Sequence, residues 1–174
     1  MRVFCQGESC LGLRLPIHRR LTGYGVKPIQ VVAPLYESYW LYAAVEPTTG
    51  EAFWWELPNL DAECFSIFLD KFGQCYAESL NIILLDQAPV HVAQRVAVPD
   101  NVVLMWLPTY SPELNPVERL WEDLKSRIDV VDTRVRWSLA ALQAHVAGLV
   151  QRYTAETIAS LTGYAYLVEA IGAL

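Results

Sequence analysis

The sequence predicts an α/β fold, a mixed sheet flanked by helices, on three observations. Strand-like apolar runs alternate along the chain with segments of helical periodicity. Two aromatic, β-rich segments flank a Gly-containing turn, the signature of a hairpin. Two further runs are short and continuously apolar, as strands buried inside a sheet are. The chain has 174 residues, 53% hydrophobic and 18% charged. That is one domain's worth of chain, able to bury about two-thirds of its unfolded surface. It is too apolar for a disordered tail.

The elements follow in order. Arg2 to Gln6 reads as a strand at the start of the chain. Residues 9–36 contain no acidic residue but carry Arg14, Arg19, Arg20 and Lys27, punctuated by Pro16, Gly23, Gly25 and Pro28. This basic segment is expected to be loop with short extended pieces, including a strand at Ile29 to Ala33. Tyr39 to Val45 and Glu51 to Leu57 form the hairpin around Pro47-Thr48-Thr49-Gly50. Asp61 caps a helix whose one face is Phe65, Phe68, Leu69, Phe72 and Tyr76. Leu80 to Leu85 is a central strand ending at Asp86. A short helix and a second buried strand, Val102 to Leu107, come next. Asn115 and Pro116 then open a long helix as N-cap and N1. Its apolar face is Val117, Leu120, Trp121, Leu124 and Ile128. From about Arg134 two helices follow, split near Thr154. The stripe Val135, Leu139, Leu142, Val146 and Leu149 reads as core packing. A hairpin beside a parallel core strand fits the ribonuclease H-like arrangement, though the order alone leaves other three-layer α/β folds open.

Composition excludes several classes. Thirteen Lys and Arg against nineteen Asp and Glu give a net charge of −6. Nucleic acid would have to be met through a local basic patch or a partner's field. No apolar run reaches the roughly eighteen residues that span a membrane. Cys5, Cys10, Cys64 and Cys75 fit neither a CxxC pair nor a zinc pattern. They read as reduced, mostly buried thiols of a cytoplasmic protein.

Two acidic residues are placed for chemistry. Asp86 stands at the carboxyl end of the central strand, where open α/β sheets bind ligands; a turn-forming aspartate is the alternative. Glu118 falls at N3, where it would complete a capping box with Asn115. On spacing alone that capping role has the better claim, although an N3 glutamate can also face the sheet edge. Two carboxylates meeting there would suit magnesium or manganese better than zinc.

The segment from Leu107 to Trp121, LPTYSPELNPVERLW, closely resembles the most diagnostic stretch of the DDE transposases, in particular the bacterial insertion-sequence branch related to mariner elements. That family's wording is roughly LPPYSPELNPIERLW, and the differences are Thr109 and Val117. Leu84 to His91, LLDQAPVH, is similar to the family's LLDNAxxH. Tyr42 to Glu51 resembles its hairpin. The 31 residues between Asp86 and Glu118 are close to the family spacing.

The resemblance implies a ribonuclease H-like catalytic domain over residues 1–130, with a helical extension, 131–174, packed on it. It implies DNA cleavage and strand transfer at insertion-sequence ends, with two Mg2+ or Mn2+ ions held by three carboxylates. Asp86 would be the second carboxylate and Glu118 the third. The first fails: where the family has QDES this chain has Gln6-Gly7-Glu8-Ser9, and Gly7 has no side chain to offer a metal. Glu8 is the candidate substitute, but successive strand residues point to opposite faces. Gln87 replaces the family asparagine, and His91 matches its histidine, a candidate DNA or water contact, with a capping or packing histidine as the alternative.

Metal binding is therefore expected to be weak and DNA cleavage impaired, with Gly7→Asp expected to restore metal affinity. Arg14, Arg19, Arg20, Lys27 and His91 are the candidate DNA contacts. Expected partners are transposon and target DNA, a second copy in a homodimer, and a separate helix-turn-helix polypeptide, because the chain starts on the first catalytic strand. The competing reading is an inactive remnant serving as a DNA-associated or dimerisation module. A ribonuclease H-like nuclease for other nucleic acid is disfavoured by the SPELNP match.

Overall fold

The computed structural model describes residues 1–13, 24–25, 37–109, 111–129 and 138–173. The basic residues Arg14, Arg19, Arg20 and Lys27, the strand expected at 29–33, and Val135 lie outside the described residues.

Five strands form one sheet in the order β3-β2-β1-β4-β5. They are β1 (Arg2–Gly12), β2 (Ser38–Val45), β3 (Ala52–Leu57), β4 (Asn81–Leu85) and β5 (Val102–Trp106). The first three run antiparallel, while β4 lies parallel to both β1 and β5. The sheet is therefore mixed, as the hairpin and the buried apolar strand predict. The hairpin turns at Gly50, whose φ of 74° suits glycine.

The helices are α1 (Ala62–Cys75), α2 (Val117–Asp129), α3 (Leu139–Val150), α4 (Ala155–Thr162) and α5 (Ala165–Gly172). Asp61 caps α1, accepting from Cys64 N at 2.8 Å. Phe65, Phe68, Leu69 and Phe72 are wholly buried on one sheet face beside Phe4 and Ile83. Each such burial is worth about 1.5–3 kcal/mol. The other face carries Val3, Cys5 and Leu84 against Val117, Leu120, Trp121 and Leu124 of α2. Leu142, Val146, Leu149, Ile158 and Leu167 join that same core, so α3, α4 and α5 pack on it.

Four expectations are corrected. The segment between β4 and β5 is a series of turns rather than a short helix; a single turn at Ala88, whose carbonyl accepts from His91 N and Val92 N, is not continued. β5 is an edge strand, not a buried one, with Val103 45% and Met105 49% exposed. It pairs with β4 alone, and α2 lies over β1 and β2 instead. Three helices rather than two follow residue 138, because the chain breaks again at Gly163 and Tyr164. Finally, only Cys5 and Cys64 are buried; Cys10 and Cys75 are exposed, and all four are free thiols.

Candidate functional site

Parallel pairing brings the predicted site residues together. Cys5 pairs with Leu84, and two residues further along these neighbouring strands stand Gly7 and Asp86. Helix α2 starts against this same edge. Asn115 anchors it, its Nδ2 donating to the Gln6 carbonyl at 2.8 Å and its Oδ1 accepting from Val117 N at 3.3 Å. Glu118 thus stands in the first turn of a helix docked on β1.

The capping box expected of Glu118 does not form. The Asn115 N–H goes to the Pro112 carbonyl at 2.9 Å, closing a 3-10 turn over Pro112–Leu114. Glu118 instead lines an open groove of about 820 Å³ together with Arg119, Tyr164 and Tyr166. Burial of its carboxyl raises its pKa; the Lys125 charge opposes this, and the fields of Asp86, Glu122 and Glu8 reinforce it. Negative charge therefore converges on this corner of the sheet.

Asp86 is held from two directions. Its Oδ1 accepts from Ala88 N at 3.0 Å and lies 2.8 Å from His91 Nδ1. Hydrogen bonding from His91 holds its carboxyl below the usual aspartate range, against the opposing effect of burial. The side chain remains 63% exposed. Gln87, the departure from the family asparagine, donates its amide to the Leu107 carbonyl at 2.9 Å and so ties the ends of β4 and β5.

Gly7 faces α2. A Cβ there would lie 2.7 Å from Val117 Cγ1, 3.4 Å from Trp121 Nε1 and 3.8 Å from Asn115 Nδ2. The Trp121 indole N–H is buried and has no hydrogen-bond partner among the described residues. The position is thus a cradle whose nitrogen would suit an acceptor, while Val117 has closed into the space. Glu8 lies on the opposite face, where its Oε1 meets His91 Nε2 at 2.9 Å and Gln6 Nε2 at 2.7 Å. His91 is 3% exposed and packs on Phe65 with ring centroids 4.6 Å apart.

Asp86 and Glu118 present hard carboxylate oxygens suited to magnesium or manganese. Among the described residues, however, no group of three or more His, Cys, Asp and Glu side chains is placed to hold a metal. Gly7 offers no side chain, and the donor set is left short. Sequence reasoning missed the neighbours of Gly7. Val117 and Trp121 were legible only as apolar positions of a helix, and nothing in their spacing says which strand residue they meet.

The sequence profile of the DDE superfamily endonucleases matches residues 25–134. The Sinorhizobium fredii protein y4pE/y4sA is 38% identical over 87 residues, 49% of this chain and 64% of that protein. The strand transfer complex of Mos1 transposase superposes with a TM-score of 0.70 at 15% identity, over 93% of this chain and 50% of that one. The Mos1 paired-end complex with Mn gives 0.66 at 16% identity, over 93% and 52%. The catalytic core of BIV integrase gives 0.50 at 16% identity, over 88% and 86%. The chain spans about half the length of the Mos1 chains it matches. The five-stranded sheet flanked by helices has the ribonuclease H-like fold of these neighbours, and the chain belongs to the DDE superfamily endonucleases.

Proposed function

We propose that this chain is a transposase catalytic domain, spanning residues 1–130 with 131–174 as its helical extension, that cuts and joins DNA at insertion-sequence ends and is impaired at Gly7. The observation that supports the reading is that Asp86 follows β4 while Glu118 opens a helix anchored through Asn115 on the neighbouring strand β1. Those two residues would hold Mg2+ or Mn2+. The Mos1 complexes described with Mn and with Mg support that choice of ion. When bound, such an ion activates a water and stabilises a leaving phosphate oxygen.

The chain's own residues do the positioning. Asn115 fixes α2 to β1 and so sets where Glu118 stands. His91 and the Ala88 N–H fix Asp86. Gly7 supplies nothing, and Val117 fills the place a third carboxylate would start from. That closure favours the second reading, an inactive remnant serving as a DNA-associated or dimerisation module. On the first reading DNA is the partner, approached with a second copy of the chain.

Manganese calorimetry on the parent, Asp86→Asn and Glu118→Gln tests the metal site. Weak binding in the parent, lost in both variants, is the expected result. Equal heats in all three would place the metal elsewhere. Nicking of supercoiled DNA by the parent in Mn2+ then separates an impaired enzyme from an inactive one.

A further inference from the structure

Strand β5 ends the sheet on one side and pairs with β4 alone. Its bonds to β4 fall on alternate residues. Asn81 N donates to the Asn101 carbonyl at 2.9 Å, and Leu107 N donates to the Leu85 carbonyl at 2.8 Å. Between these two bonds, Val103 and Met105 turn their backbone groups to β4, and Val102, Leu104 and Trp106 turn theirs outward. Val102 N is taken by the Pro99 carbonyl at 3.0 Å. Among the described residues, no strand or turn takes the N–H of Leu104 or Trp106. The side chains alternate too. Val102 and Leu104 pack with the α1 core, whereas Val103 and Met105, about half exposed, stand on the other face, where α2 lies over β1 and β2. The strand has no Lys, no Pro and an unbroken register with β4, so it lacks the devices that keep sheet edges apart. Residues 101–112 carry no charge in a chain of net charge −6.

We propose that β5 is the surface on which a second copy of this chain docks, the two β5 strands pairing antiparallel about a two-fold axis at Leu104 and joining the sheets edge to edge. The outward groups are self-complementary about that residue. Leu104 exchanges both bonds with the partner's Leu104, and Trp106 N donates to the carbonyl of the partner's Val102. Val103 then faces the partner's Met105 in a closely spaced pair, and the symmetry repeats that contact, so each covers apolar surface the other exposes. The arrangement also suits the charge. Uncharged strand meets uncharged strand, and Asp100 lies four residues from the axis. The two Asp100 carboxylates are thus about 27 Å apart along the ladder, beyond the Debye length of about 8 Å. A five-residue edge is smaller than the about 800 Å² per partner of a standard interface, so the dimer is a weak one. The inference deepens the second copy of the proposed function and rests on that reading for its use. Its test contains neither metal nor DNA, so the two can fail separately.

The test is sedimentation of the parent from about 10 µM to about 1 mM, the range of a weak interface, with amide hydrogen exchange followed by NMR at both ends. Dimer is expected to grow with concentration. The Leu104 and Trp106 amides should slow as it does, whereas those of Val103 and Met105, bonded to β4, are slow throughout. Val103→Lys and Met105→Glu, both at exposed positions, should each weaken association about tenfold. An equal mixture of the two should recover it, because the introduced lysine of one copy then faces the introduced glutamate of the other. A parent that stays monomeric at the highest concentration overturns the proposal. So does a dimer that leaves the Leu104 and Trp106 amides unprotected, or one that both variants form as readily as the parent. Slow exchange of those two amides in the dilute monomer would show the edge covered by the chain itself and overturn it equally. Should a variant not fold, exchange in the parent decides.

Discussion

A side chain at position 7 would meet two opposed neighbours. The Trp121 indole N–H, buried without an acceptor among the described residues, would gain one from an aspartate, and an unsatisfied buried donor costs about 1–3 kcal/mol. Against this, the new Cβ would lie 2.7 Å from Val117 Cγ1. Valine is β-branched and stiff at χ1, so the helix or the strand must yield, at about 1–3 kcal/mol for overpacking. Gly7→Asp is therefore expected to lower the urea midpoint and to improve Mn2+ binding little on its own. Gly7→Asp with Val117→Ala should recover stability relative to Gly7→Asp and bind Mn2+ more tightly than either single variant. Denaturation and calorimetry on the four proteins read both effects. The expectation that Gly7→Asp suffices came from the sequence alone, which shows a missing carboxylate but not the methyl group in its place.

At the scale of elements, two contacts at the turn end of the hairpin add to its ladder with β1. Arg2 at the start of β1 donates to both oxygens of Glu46 at the end of the hairpin's first strand, at 2.7 and 3.2 Å, and stacks over Phe4 and Tyr76. Burial works to raise the Glu46 pKa, but the bonds from Arg2 and Thr49 outweigh it and hold the carboxyl below its usual range. A carboxyl depressed in this way adds stability above its unfolded pKa, near 4.3 for glutamate. That stability is lost as pH falls through the lower folded value. Arg2→Met should cost about 1–3 kcal/mol at pH 7. The gap from the parent should narrow at acid pH, as urea unfolding at pH 7 and pH 3 would show. The second contact is at Gly50, where φ is 74° and a Cβ would fall 1.8 Å from the Ala155 carbonyl oxygen at the start of α4. Gly50→Ala should destabilise by more than about 1 kcal/mol, read as a lower midpoint of thermal unfolding.

At the scale of the molecule, charge governs the encounter with DNA. A net charge of −6 opposes a polyanion, so the chain alone is expected to bind duplex DNA no tighter than about 10⁻⁴–10⁻⁶ M at physiological salt, the range of non-specific binding. Fluorescence anisotropy of a labelled duplex checks this. Nanomolar binding would show that a local basic surface outweighs the net charge.

The sheet, its hairpin, the phenylalanine face of α1 and the acidic ends of β4 and α2 were all legible before any coordinates, because each is written as a local pattern: alternation, a 3.6-residue period, a cap, a turn glycine. The motif around Asn115 also carried the family. What the pattern could not carry is who meets whom. Val103 and Met105 look like buried strand residues until the strand order leaves β5 at the edge. The N3 position of Glu118 suggests a cap until a 3-10 turn takes the Asn115 N–H first. Glu8 is far from Asp86 and His91 in the chain and meets His91 only when β1 and β4 lie side by side. Local propensities depend on neighbours a few residues away, whereas the site depends on register and packing between strands and helices distant in sequence, and those are properties of the folded whole.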